Sequence, residues 1–216
     1  MRRATSRGAG YASQAGFTLA ELLVVASIIA VVIGMSIPSL SRAIDSAKLK
    51  AAAQQLVGVY QDARVRATQN NTPYEVLTSA PGVTPAQLCI DLNGDGACSN
   101  ADPLTPISPQ VILNNNGVPL GLNKSVLGFD TRNTESSAMH DQNNNLAPGL
   151  AWNGLGVPCE RSSSSSACKA MVGWIQYLQL QRGGGDTLYA AVSVSPTGRI
   201  RVWTYIPSGN GNGSWF

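Results

Sequence analysis

The stretch Phe17–Leu40, FTLAELLVVASIIAVVIGMSIPSL, limits what this chain can fold into more than any other part of it. It carries a single charge, Glu21, and Leu22 to Ser41 is twenty residues without an ionisable side chain. A helix needs roughly 20 apolar residues to cross the hydrocarbon core of a bilayer. Lipid offers no partner to a backbone amide, so a lone segment of this kind must satisfy its own hydrogen bonds as a helix. A carboxylate at membrane depth costs about 2.5–3.5 kcal/mol, so Glu21 is expected to have a function.

Residues 1–16, MRRATSRGAGYASQAG, hold Arg2, Arg3 and Arg7 and no acid. Arginines ahead of an apolar span place that end in the cytoplasm. No small-x-small cleavage site of good quality follows residue 35, so the span reads as an anchor and not as an ordinary secretory signal. With those three arginines set aside, twelve basic residues face twelve acidic ones. The rest of the chain is neutral, which excludes a generally basic nucleic-acid binder and leaves only local contact.

From Arg42 the pattern becomes an amphipathic helix. Leu40, Ile44, Ala47, Ala51, Leu56, Val59, Ala63 and Ala67 fall near helical spacing, with charged residues between them. Arg64 and Arg66 read as a solvated face. Pro73 disfavours helix at Thr72 and ends the element. One helix over 17–70 would be about 80 Å long at 1.5 Å per residue, with Gly34 and Pro38 loosening or bending it. Beyond Thr72, 22 glycines and 12 prolines in the chain as a whole suit a loop-rich β domain better than a bundle. Candidate strands are Tyr74–Thr78, Leu88–Asp91, Gln110–Leu113, Val126–Asp130, Val172–Leu180, Leu188–Ser195 and Ile200–Ile206, the last two forming a hairpin about Pro196-Thr197-Gly198.

Cys89/Cys98 and Cys159/Cys168 have the same nine-residue spacing. An even number of cysteines beyond a membrane segment points to disulfides in an oxidising compartment. Connectivity stays open, with loop-local pairing the simplest choice. Zinc is excluded by spacing, because there is no CxxC and the only histidine is His140.

Gly16-Phe17-Thr18-Leu19-Ala20-Glu21-Leu22 resembles the class III leader of type IV pilins and type II secretion pseudopilins. The resemblance implies that a prepilin peptidase cuts after Gly16 and methylates the new terminus at Phe17. It also implies that Glu21, four residues on, is the family's assembly glutamate. Pro38 falls where the family's helix bends, and Ala20 stands where isoleucine is commoner. In a packed filament Glu21 of one subunit can neutralise the Phe17 amine of a neighbour, removing the cost of two isolated charges in lipid.

Thr72-Pro73-Tyr74-Glu75-Val76, Gly173-Trp174-Ile175 and Ser195-Pro196-Thr197-Gly198-Arg199 resemble, in that order, the GspH/FimT group of minor pilins and minor pseudopilins. What the resemblance implies is an α+β fold, with a long N-terminal helix packed on a C-terminal antiparallel β-sheet or sandwich head. Its parts are a leader, 1–16, a transmembrane half of the helix, 17–40, an amphipathic half, 41–71, and a periplasmic head, 72–216. The expected role is a minor subunit of a type IV pilus or type II secretion pseudopilus, in an initiating or tip complex. Expected partners are prepilin peptidase, other minor pilins or pseudopilins and the bacterial inner membrane, with no small-molecule substrate.

Two motifs have chemistry of their own. Asp91-Leu92-Asn93-Gly94-Asp95-Gly96, continuing to Asp102, has oxygen side chains at the steps of a calcium loop, with Asp91, Asn93, Asp95 and Asp102 as candidate ligands. Asp102 is shorter than the usual glutamate and Pro103 forbids an exit helix, so a polar hairpin turn clipped by Cys89 and Cys98 is the alternative. In Gly198-Arg199-Ile200-Arg201 the two arginines alternate onto one strand face, where their forks suit phosphate, and Trp203 and Tyr205 continue that face as stacking candidates. The pattern resembles FimT-type pilins that bind DNA during natural transformation, which makes Arg199 and Arg201 candidate DNA contacts. The alternative is an edge strand protected by charge. His140-Asp141 has no companion nucleophile, and Asp130, Glu135 and Asp141 read as solvated acids. With no P-loop, GxSxG or dinucleotide fingerprint, no enzyme activity is expected.

Overall fold

The computed structural model describes residues 17–78, 87–99, 101–113, 122, 124–129, 149–161, 167–170, 173–181, 187–207 and 213–216; of these, the side chains of 37–39, 78, 124, 160 and 170 lie outside the description. Gly16, Asp130, Glu135, His140, Asp141 and the serine run 162–166 are also outside the described residues. The chain divides into two compact units, Met1–Ala43 and Ile44–Phe216.

One helix, α1 (Leu19–Asn70), contributes to both units. Its start is a reciprocal cap: the Glu21 amide donates to Thr18 Oγ1 at 3.2 Å, and the Thr18 amide donates to Glu21 Oε2 at 3.3 Å. Every described side chain from Phe17 to Ser36 is exposed, valines, leucines and isoleucines alike. A soluble unit does not leave so long an apolar surface uncovered, and the helix is long and apolar enough to cross a membrane. Its serines need no outside partner. Ser27 Oγ donates to the Val24 carbonyl and Ser36 Oγ to that of Val32. Gly34 lies within α1, and Pro38, where a bend was also expected, is among the residues whose side chains are not described.

In the second unit α1 buries Leu49, Ala52, Ala53, Leu56, Val59, Tyr60, Ala63 and Ala67. The expected stripe was partly different: Ile44, Ala47 and Ala51 are exposed. Small residues occupy several faces of this helix, so spacing admits two neighbouring stripes, and the sheets select the one that carries Leu49 and Tyr60. The helix ends in a Schellman arrangement. Asn71 takes φ 47°, and the Thr72 amide returns to the Ala67 carbonyl at 3.2 Å.

The strands are β1 (Tyr74–Thr78), β2 (Gln87–Asp91), β3 (Leu104–Pro106), β4 (Val111–Leu113), β5 (Gly149–Trp152), β6 (Pro158–Glu160), β7 (Lys169–Ala170), β8 (Trp174–Gln181), β9 (Thr187–Val194), β10 (Ile200–Ile206) and β11 (Ser214–Trp215). They form two antiparallel sheets, ordered β3-β2-β1-β5-β6-β7 and β11-β10-β9-β8-β4. Val76, Leu88, Ile90, Leu150 and Trp152 of the first sheet share one core with α1 and with Ile175, Leu178, Val192 and Trp203 of the second. The architecture is the expected α+β arrangement of a long helix and antiparallel sheets. Among the described residues the core cluster begins at Leu49 and lies wholly within the second unit.

The candidate strand Val126–Asp130 is corrected: Lys124–Leu127 is a short helix, α2. Leu127 is buried and Val126 exposed, and Gly128 at φ +79° turns the chain out of the helix. The short apolar run suggested a strand, and burial of Leu127 from a helical turn decided otherwise. Strands β3, β5, β6, β7 and β11 were not anticipated. Gly149–Trp152 is buried at all four positions and so shows no alternation to read.

Candidate functional site

The β9–β10 hairpin is closed by a turn over Ser195–Arg199. The Gly198 amide donates to the Ser195 carbonyl at 2.8 Å and the Ser195 amide to that of Arg199 at 2.9 Å. The Arg199 amide donates to Ser195 Oγ at 3.0 Å, and that hydroxyl also meets Thr197 Oγ1 at 2.8 Å. Gly198 sits at φ +84°, and a Cβ there would lie 3.1 Å from Trp152 Cζ3. Glycine is thus required twice, for conformation and for the close approach of the turn to β5.

From this turn Arg199 and Arg201 project into one open groove of about 500 Å³, beside Ser193, Ser195, Leu127 and Phe129. None of the described residues that line it is acidic. Both arginines are exposed. The stacking role expected of Trp203 and Tyr205 is corrected. Trp203 is 3 % exposed, its indole N–H donates to Ser193 Oγ at 2.8 Å, and the Arg201 guanidinium lies 4.0 Å over its ring. Tyr205 packs on Tyr189 and Trp215, and its hydroxyl accepts the Gly213 amide at 2.7 Å. The groove therefore offers guanidinium forks and hydroxyls, with Trp203 already covered by Arg201 and Phe129 half-buried at its wall, which suits a phosphate backbone better than a base. The edge reading has support too, since among the described residues the C-terminal segment Ser214–Phe216 meets β10 only at Thr204, Tyr205 and Ile206.

Arg64 is exposed, as expected, and also reaches the hairpin turn. Its Nη1 donates to the Gly198 carbonyl at 3.3 Å and its guanidinium lies 5.1 Å from the Trp152 ring centroid. Arg66 pairs with Asp62 one turn earlier at 3.0 Å. The Arg66–Asp62 pair is a surface pair on the helix, and nothing local in the sequence shows that Arg64 has a partner 134 residues away.

In the Asp91 loop each carboxylate already serves the loop's own donors. Asp91 Oδ1 accepts the Gly94 amide at 2.7 Å and its Oδ2 the Gly96 amide at 2.9 Å. Asp95 accepts the Ala97 amide and the Asn93 side-chain amide. Asp102 accepts the amides of Leu92 and Ser99 and the Ser99 hydroxyl. The Leu92 N–H, with those of Ser99, holds the Asp102 carboxyl below its ordinary range against the opposing effect of burial. Among the described residues no three Asp, Glu, His or Cys side chains converge as a cation would need. Disulfides join Cys89 to Cys98, across this loop, and Cys159 to Cys168.

Sequence reasoning missed Glu75. It faces Asp91 in register across β1 and β2, and both are 1 % exposed, with Arg161 7 % exposed nearby. Glu75 Oε1 has no hydrogen-bond partner among the described residues. Burial pushes its carboxyl up to about 7, with Arg161 opposing and Asp91 adding to the rise. The signal was Leu77: it shares Glu75's side of an alternating strand, so that side could not be wholly solvent-facing.

At the N-terminus Phe17, Thr18 and Glu21 lie within the one turn described above, with the Glu21 carboxylate turned onto Thr18. Residues 11–37 match the family model described as the prokaryotic N-terminal methylation motif. The chain thus carries a prepilin-like leader motif, followed by a helix long and apolar enough to cross a membrane and by antiparallel sheets. No curated protein and no solved structure matches the chain.

Proposed function

We propose that the chain is a minor subunit of a type IV pilus or a type II secretion pseudopilus, of the GspH/FimT kind. Prepilin peptidase cuts it after Gly16 and methylates Phe17. Residues 17–40 hold it in the inner membrane, the head faces the periplasm, and other minor pilins or pseudopilins join it in an initiating or tip complex. The observation that carries the reading is the methylation motif at 11–37, which covers the start of the apolar helix α1. Its test is the mass of the mature N-terminus after co-expression with a prepilin peptidase. A terminus at methylated Phe17 supports the reading, and an uncut chain refutes it. Placement in a secretion pseudopilus, touching secreted proteins, differs only in the partners recovered by crosslinking.

A second reading, DNA capture during natural transformation, is favoured by one observation: Arg199 and Arg201 share a groove lined by no described acid. Two phosphate contacts predict weak, salt-sensitive binding. Arg199→Ala/Arg201→Ala should abolish duplex binding at low salt. Equal binding by the variant would leave the arginines as edge protection.

A further inference from the structure

We propose that Arg64 is the positioning residue of the Arg199/Arg201 groove, a statement that rests on the DNA reading of that groove. The Gly198 carbonyl and the Arg199 amide belong to one peptide plane, and such a plane is rigid. Arg64 Nη1 holds the carbonyl edge at 3.3 Å, and Ser195 Oγ holds the amide edge at 3.0 Å. Gripped at both edges, the plane cannot rotate, so the direction in which Arg199 leaves the backbone is set. Gly198 alone would not set it, because glycine at φ +84° tolerates many conformations. The far side of the guanidinium is seated on Trp152 of β5, so the clamp is itself anchored in the first sheet. Helix α1, both sheets and the turn thus meet one peptide bond before Arg199, and the helix sets the orientation of the groove's first cation.

A lysine at position 64 can donate to the carbonyl but has no plane to lay on Trp152, so it restores the clamp only in part. The experiment uses the full-length, disulfide-intact chain in detergent, as wild type, Arg64→Ala, Arg64→Lys and Arg199→Ala/Arg201→Ala. Amide hydrogen exchange over 195–199 is measured beside the affinity for a labelled duplex at several salt concentrations. Arg64→Ala is expected to speed exchange at Gly198 and Arg199 and to weaken binding about fivefold, with the slope of log affinity against log salt unchanged and Arg64→Lys intermediate. Unchanged exchange in Arg64→Ala overturns the clamp. A salt slope reduced by about one overturns positioning in favour of direct phosphate contact. Absence of binding by the wild type at low salt overturns the DNA reading instead, while the exchange rates still decide the clamp.

Discussion

Glu75 makes the head less stable as pH rises, and the size of the effect follows from its burial. Its ordinary carboxyl value of 4.5 is raised to about 7 in the folded head. Folding therefore favours the protonated form, and the folded state binds more protons than the unfolded state between those two values. Stability falls through that window and levels off above it. At about 1.36 kcal/mol per pH unit, the fall between pH 5 and pH 8 is about 2–3 kcal/mol. Asp102 works in the opposite sense. Its depressed carboxyl adds stability above the ordinary 3.8 that is lost only as the solution becomes more acid, so it is flat over this range. The Tyr177 hydroxyl, pushed up to about 12 by burial, titrates well above it. The assay is urea unfolding of the disulfide-intact head, Ile44–Phe216, at both pH values, beside Glu75→Gln. The variant keeps the shape and removes the charge, and comparing it with the parent cancels what the two proteins share. The parent's change in stability from pH 5 to pH 8 should be less favourable than the variant's by about 2–3 kcal/mol. A parent that loses no more than the variant would refute the reasoning that burial outweighs the attraction of Arg161.

Gly198→Ala should destabilise the head by about 1–3 kcal/mol, read as a lower Tm, because alanine disfavours positive φ and its Cβ would crowd Trp152 at 3.1 Å. An unchanged Tm would mean that the turn is not seated on β5. Glu21→Ala should leave cleavage after Gly16 intact and reduce incorporation into filaments, measured by recovery in sheared fractions; normal incorporation would sink the charge-pairing role. Calcium at millimolar concentration should leave the Tm of the head unchanged, because a cation would have to displace the N–H donors already on Asp91, Asp95 and Asp102. A rise in Tm that Asp95→Ala abolishes would establish calcium binding.

Much of the head was legible because its signals are local. Leu188–Ser195 and Ile200–Ile206 alternate about a turn, and they are β9 and β10 within a residue or two. Asn71 and Thr72 close α1 where Pro73 says it must end. Val126–Asp130 failed because a short apolar run does not state its own conformation. Trp203 failed because alternation tells which way a side chain leaves the strand and not what then covers it. Arg201 covers it, from the same strand, two residues away.

The sequence by itself determined the anchor, since length, apolarity and the absence of charge over Leu22–Ser41 decide membrane compatibility without any tertiary contact. It likewise determined the methylation motif, which is a matter of residues in covalent order. Only the tertiary structure decided that Glu75 lies buried against Asp91, that Arg64 grips the turn before Arg199, and which stripe of α1 meets the sheets. Each of these depends on a partner brought from elsewhere in the chain. A side chain's charge state and role follow from the dielectric and donors around it, and those exist only once the sheets have closed over it.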